Sequence, residues 1–342
     1  KKYRSLRKKF RDLSLKEYDK TYKRLNVSFD SFSGEAFYEP MLKDTISLLK
    51  KNKLLEESEG ALIVNLDKYN LAPCLIQKSD GATIYATRDI AAAIYRKKEY
   101  NFHKNIYVTD NRQNLHFQQF FKVLELAKLS WAKDCIHIPF GIMKFNDGIM
   151  STRKGKVIFL EEVLDKSVDK VKKIIKEKNP KLKNKDKIAE QIGIGAIIFW
   201  DLSHDRVKDI QFEWDLILDF SGETGPYIQY TYARASSILR KAKNKSKPSY
   251  EKLTNPKEAE LIKLISDFES TIENAAQQYK PSVLAKYLLS IAQRFNEFYQ
   301  SCPVLNEEDK SLAKARLNLI SKTREILKEG LSLLAISTPE EM

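Results

Sequence analysis

Residues 105–140 read NIYVTDNRQNLHFQQFFKVLELAKLSWAKDCIHIPF, and this stretch decides the fold class. NIYVT at 105–109 is a compact apolar run rich in β-branched and aromatic side chains, as a buried strand requires. DNRQN at 110–114 supplies turn chemistry, and apolar residues then recur at helical spacing from 115 to about 126. CIHIPF at 135–140 is a second strand. Strand, helix, strand within so short a span predicts a parallel sheet with helices on its faces. Upstream, LIVN at 62–65 and TIYA at 83–86 read as further short strands of the same βαβ pattern. Thr87-Arg88-Asp89 then opens a helix through residues 91–93, with Thr87 or a neighbour as its cap. Residues 1–20 and 35–53 have amphipathic helical character.

Beyond residue 160 the period changes. Residues 161–178 form a lysine-rich amphipathic helix, and 186–201 continue helical with Gly193 and Gly195 inside. Helices are predicted over 227–240, 255–280, 281–300 and 307–334. The polar run KAKNKSKPS at 241–249, with Pro248 near its end, reads as a loop. The chain is therefore α/β followed by all-α, with the change between residues 215 and 225.

With 342 residues, 42% hydrophobic and 11% aromatic, the composition is that of a globular protein with room for two cores. A net charge of +14 calls for a polyanionic partner. The longest apolar runs, such as 194–200, are far too short to span a bilayer, so no membrane contact is expected. The opening KKYRSLRKKFRDL is charged with no apolar core, so no secretory signal is read there. Cys74, Cys135 and Cys302 are far apart with no Cys-x-x-Cys pair, which predicts reduced thiols and a cytoplasmic setting. The four histidines are equally scattered, and no structural metal is expected.

The chemistry-bearing segment is GIMSTRKGKVIF at 148–159, which packs Ser151, Thr152, Arg153, Lys154 and Lys156 around Gly148 and Gly155. Cationic and hydroxyl groups on such a loop suit a triphosphate and the charge that develops on leaving pyrophosphate. It is not a P-loop, because Val157 follows Gly155-Lys156. Tyr85 and Asp89 stand where a strand meets a helix, the edge at which open parallel sheets bind ligands. A carboxylate there can hold a guanidinium or an ammonium. Gln113 and His116 occupy the next such turn, and Gly141, within FGIM at 140–143, permits close approach of an adenine to backbone. In the helical half Tyr227, Tyr230 and Arg234 share one face, and Phe295 and Tyr299 repeat the aromatic spacing, a surface suited to unstacked bases. Taken singly each has an ordinary explanation: a solvated basic loop, a carboxylate complementing a helix dipole, turn residues, aromatic core stripes.

Taken in order, these segments resemble the arginyl-tRNA synthetases, a class I family. The matches are FD at 29–30 with GE at 34–35, DGATIYATRDIAAA at 80–93, QNLHFQQFF at 113–121, MSTRKG at 150–155, FEWD at 212–215, GETGPYIQY at 222–230 and LLAISTPEEM at 333–342. The resemblance covers essentially the whole chain. It implies part of a Rossmann-type nucleotide-binding parallel sheet over 1–215, followed by a helical-bundle anticodon-binding domain of the DALR type over 216–342. It implies ATP-dependent activation of arginine and its transfer to tRNA(Arg), with Mg2+ accompanying ATP, in a monomer. Tyr85, Asp89 and Gln113 then match the arginine site, and His116, Gly141, Met143, Met150 and Ser151 the ATP side. Ser151, Thr152, Arg153 and Lys154 match the mobile catalytic loop, and Tyr227, Tyr230, Arg234, Phe295, Tyr299 and Met342 the anticodon surface. A non-catalytic RNA-binding protein of the same architecture is the alternative.

Two departures stand out. Thr152 replaces the second lysine of the usual class I loop, and none of His103, His116, His137 or His204 sits in a His-x-Gly-His element. The chain thus reads as the C-terminal portion of a longer enzyme. It is expected to bind tRNA while activating arginine poorly or not at all, and arginine-dependent ATP–pyrophosphate exchange by this chain alone would contradict that expectation.

Overall fold

The computed structural model describes residues 2–145 and 159–342, which fall into two compact bodies. An α/β body comprises residues 29–142 with 207–209, and a helical body takes 1–28, 143–206 and 210–342. Helix α1 (Lys2–Arg24) opens the chain as part of the helical body.

In the α/β body the helix expected over 35–53 is shortened to α2 (Leu42–Lys51), preceded by two single 3-10 turns. Pro40, within the second of these turns, has no N–H to continue a helical ladder. Strands β1 (Leu55–Ser58), β2 (Ala61–Val64) and β3 (Cys74–Gln77) form an antiparallel meander in that order. The run LIVN therefore belongs to a meander and not to the parallel sheet. TIYA is no strand either: Thr83 makes one isolated bridge to Gln77, and Tyr85 already begins α3 (Tyr85–Tyr100). Thr87 does not cap α3. Its side chain is buried, and its hydroxyl donates to the carbonyl of Ile76, tying the helix start to β3.

The expected βαβ unit is present as β4 (Asn105–Asp110), α4 (Asn114–Leu126) and β5 (Cys135–Phe140). The two strands pair in parallel from Asn105 opposite Cys135 to Asp110 opposite Phe140. Beneath α4, Tyr107, Phe117, Phe120, Val123 and Leu124 join Leu49, Ile76 and Ile90 in one core. Burial pushes the Cys74 thiol up to about 12 and that of Cys135 to about 11, so both behave as small apolar groups.

The helical body continues with β6 (Met143–Phe145), α5 (Leu160–Lys178), α6 (Lys185–Ser203) and β7 (Ile210–Phe212), β6 and β7 pairing in parallel. Then follow α7 (Trp214–Ile217), α8 (Gly225–Lys241), α9 (Pro256–Ser266), α10 (Phe268–Gln278), α11 (Pro281–Ser301) and α12 (Lys310–Leu333). The single helix expected over 255–280 is two, divided at Asp267, whose carbonyl accepts from the Ser270 and Thr271 hydroxyls. The helix glycines of α6 are contact points. A Cβ on Gly193 would lie 2.9 Å from Val168 backbone in α5, and one on Gly195 would lie 2.7 Å from Gln229 in α8. Two neighbours thus approach α6 more closely than any side chain would allow.

The C-terminal segment is tied down along its length. Gln229 donates to the Ser337 carbonyl at 2.7 Å, Arg240 to that of Glu340 at 3.1 Å and Asn179 to that of Met342 at 3.3 Å. No helix among the described residues is long and apolar enough to cross a membrane.

Glu258, fully buried on α9, accepts from Arg316 Nε of α12 at 2.6 Å; Arg316 also reaches Glu307 and the Pro303 carbonyl, each at 2.7 Å. Removing one partner strands a buried charge. Arg316→Ala should lower stability by about 3–5 kcal/mol, and the double replacement Glu258→Met with Arg316→Met should cost far less, as read by denaturant unfolding.

Candidate functional site

Tyr85 and Asp89 are one turn apart at the start of α3 and therefore share a face. His116 comes from the first turn of α4. The two strand-to-helix transitions converge here: His116 Nε2 donates to Asp89 Oδ2 at 2.7 Å, and its ring meets that of Tyr85 edge-on at 4.8 Å. On its other side the imidazole stacks on Phe120 at 6.0 Å and 9°. Its side chain is 11% exposed, against 38% for Asp89, and Tyr85 is 57% exposed. One oxygen of the partly exposed Asp89 carboxylate is thus held by an imidazole that also carries an exposed aromatic ring, chemistry that suits a planar cation.

Nearby, Asp110 is already occupied. Its two oxygens accept from Arg112 Nε and Nη2 at 2.8 and 2.7 Å, and these bonds hold its carboxyl below the ordinary range. Gln113 stands exposed at the head of α4, three residues before His116, with no bond tying it to Tyr85 or Asp89.

Gly141 does admit a close backbone approach, but the approach is internal. A Cβ there would lie 2.4 Å from the Lys208 carbonyl, and the neighbouring Ile142 N–H donates to Asp209 at 2.9 Å. Met143 belongs to the helical body, packed against the core of α5 and α6. Met150, Ser151, Thr152, Arg153 and Lys154 lie outside the described residues.

In the helical body Tyr230 and Arg234 of α8, Tyr299 of α11 and Met342 line a cleft of about 900 Å³. The Arg234 guanidinium lies 4.8 Å over the Tyr230 ring and donates to Asn296 at 2.7 Å, which pre-sets a cation beside an exposed aromatic face. Tyr227 and Phe295 are not on that wall. Tyr227 packs on the core with its hydroxyl accepting from Asn296 at 2.9 Å. Phe295 is fully buried and stacks behind Tyr299 at 6.2 Å and 6°. The shared spacing is real, yet Phe295 is fully buried, and of the other three only Tyr230 and Tyr299 line the cleft.

Asn179 and Leu182, from the turn joining α5 to α6, also line the cleft. Sequence reasoning missed them, as it missed Asn296, which bonds both Arg234 and Tyr227. For Asn296 a signal existed, an amide set among aromatic residues on an apolar helix.

Two family matches divide the chain. Residues 1–214 match tRNA synthetases class I (R), catalytic domain, and residues 228–342 match the DALR anticodon binding domain. The chain belongs to the arginyl-tRNA synthetase family. It is 50% identical over 334 residues to an arginine–tRNA ligase of Halothermothrix orenii, covering 97% of this chain and 59% of that protein. It is also 50% identical over 339 residues to one of Clostridium botulinum, covering 99% and 60%. Among solved structures, the arginyl-tRNA synthetase of Plasmodium falciparum superposes with a TM-score of 0.85 at 29% identity, over 98% of this chain and 58% of that one. The Thermus thermophilus arginyl-tRNA synthetase gives 0.86 at 27% identity, over 94% and 62%. The chain spans about 60% of the length of the curated relatives it matches.

The division between wall and core in this family member is directly testable. Phe295→Ala should lower stability by about 3–5 kcal/mol, whereas Tyr230→Ala should change it by roughly 1 kcal/mol or less, as read by thermal unfolding.

Proposed function

We propose that this protein acts in arginine–tRNA ligation. Arginine reacts with ATP to give arginyl-adenylate and pyrophosphate, and the arginyl group then passes to the terminal ribose of tRNA(Arg). The observation that carries this reading is the Asp89 carboxylate, fixed at one oxygen by His116 and flanked by the exposed Tyr85 ring. A guanidinium needs a planar, charge-assisted acceptor, and a pre-aimed carboxylate loses little entropy on binding it.

In this reading Asp89 receives the guanidinium, Tyr85 covers it, and Gln113 reaches the same ligand from the head of α4. His116 is assigned here to holding Asp89 beside the ATP side of the site. Met143, Met150 and Ser151 are assigned to ATP, and Gly141, whose open side is taken by the Lys208 backbone, to shaping the segment before Met143. Thr152, Arg153 and Lys154 with Ser151 would follow the phosphates, Mg2+ entering with the nucleotide and screening their charge. Residues 1–215 would carry the catalytic part and 216–342 the anticodon end. There Tyr230 and Tyr299 offer stacking faces, Arg234 a cation and Met342 an apolar edge, with Tyr227 and Phe295 supporting them from behind. We further assign the protein to the cytoplasm and to a monomeric state.

The test is arginine affinity, measured by calorimetry. Asp89→Asn keeps the shape and removes the charge, and should cost about 2–5 kcal/mol of binding. Unchanged affinity would place the amino-acid site elsewhere. Independently, Tyr230→Ala should weaken tRNA(Arg) binding by about 1–3 kcal/mol and leave arginine binding intact.

A further inference from the structure

Every second residue is lysine in KAKNKSK at 241–247, and exposure alternates in step. Lys241, Lys243, Lys245 and Lys247 are exposed, while Ala242, Asn244 and Ser246 are partly covered. Ala242 leaves α8 with extended backbone (φ −73°, ψ 122°). A period of two belongs to extended chain, in which alternate side chains share a side, so the lysines form one row.

The covered side of the row is fastened. Ala242 packs on the core shared by α8, α9, α11 and α12. Asn244 Nδ2 donates to the Lys310 carbonyl at the start of α12 at 2.7 Å, and its Oδ1 accepts from the Ser246 N–H at 2.9 Å. Further on, the Ser249 N–H donates to the Ser311 carbonyl at 3.2 Å. Residues 242–249 are therefore a strap laid on the head of α12. The outer side is left uncompensated. No acidic residue occurs from 240 to 250, and none of the four lysines has a carboxylate partner among the described residues. The carboxylate nearest the anchor, Asp309, is taken by Lys252 at 2.5 Å.

Position gives the row a direction. Arg240 and Lys241 line the cleft with Tyr230, Arg234 and Tyr299. From Lys241 to Lys247, at about 3.3 Å per residue, the row extends at most roughly 20 Å from that wall. Evenly spaced like charges on an anchored backbone suit a polymer that repeats the opposite charge. Lysine lacks the planar fork that reads base edges, so such a row favours phosphates without sequence preference. No aromatic or large apolar side chain lies within 241–247, which removes both base stacking and insertion into a lipid surface.

We propose that the 241–249 strap is a phosphate comb, which follows the RNA backbone outward from the cleft. This rests on the tRNA reading above and deepens it: the cleft reads bases, and the strap holds the backbone beside them whatever the sequence.

The experiment compares the protein with a Lys243→Ala/Lys245→Ala/Lys247→Ala variant, which leaves the cleft wall untouched. Each is titrated across a salt series with the anticodon-arm hairpin of tRNA(Arg), with the same hairpin carrying a scrambled loop, and with an acceptor-arm hairpin. The three side chains are exposed, so the unfolding midpoint should stay unchanged. On both anticodon-arm hairpins the slope of log affinity against log salt should become shallower by about 2–3, at roughly 0.7–0.9 for each phosphate no longer neutralised. The slope on the acceptor-arm hairpin should not move, and a Lys→Arg set at the same positions should restore the others. An unchanged slope on the anticodon-arm hairpins, a loss confined to the native loop, or an equal loss on the acceptor-arm hairpin (the mark of net charge acting at a distance) would overturn the proposal. Failure of the underlying reading is separately visible, as an unsubstituted protein that does not distinguish native from scrambled loop, and the slopes decide the strap in either case.

Discussion

The α/β body turns on an aromatic cluster that fixes how α4 is rotated about its axis. The Tyr107 ring of β4 meets Phe117 at 5.2 Å, Phe120 at 5.6 Å and Phe121 at 5.6 Å, and Phe117 stacks on His137 of β5 at 4.2 Å. Such pairs contribute about 0.5–1.5 kcal/mol each beyond the area they bury. With Phe117 and Phe120 committed to the core, His116 has one direction left, toward α3. The carboxylate–imidazole pair is thus the outer edge of the hydrophobic core. A polar site built this way inherits the rigidity of the packing beneath it.

The helical body solves a different problem, that of building a wall from distant segments. Its cleft draws on α8, α11, the α5–α6 turn and the last residue of the chain. Gly193 and Gly195 let α6 lie close to both α5 and α8, which brings the turn within reach. Arg24 pairs with Asp165 at 2.7 Å and Glu190 at 2.8 Å, binding α1 to α5 and α6. The bonds from Gln229, Arg240 and Asn179 to carbonyls of residues 337–342 hold a segment without helix or strand as a fixed surface.

What could be read in advance follows the range of each signal. Short apolar runs set off by turn residues made the bounds of β4 and β5 legible almost to the residue, although β4 is not buried as expected, with Ile106 and Val108 exposed on one face. The α/β-to-α order was legible for the same local reason, whereas Tyr85, read as part of a strand, begins α3 and shares a helical face with Asp89. Thr87 misled because a hydroxyl at a helix start looks like a cap, while its actual acceptor, Ile76, lies 11 residues away on another element. Phe295 misled because helical spacing assigns residues to a face but does not say which face meets solvent. Asn179 and Leu182 were invisible, since membership of the cleft wall is decided by packing between helices and not by anything in the turn itself.

The two halves of the chain also use charge in opposite ways. At Asp89 a single carboxylate matters because its neighbours fix its orientation, and the same group on a free surface would be worth little. On the α5–α6 hairpin Lys170 and Lys172 pair with Asp215 and Asp186, while Lys173, Lys176, Lys178, Lys181 and Lys183 stand exposed in water. The first arrangement is short-ranged and partly buried, so salt screens it weakly. The second works over about a Debye length, roughly 10 Å at 0.1 M salt.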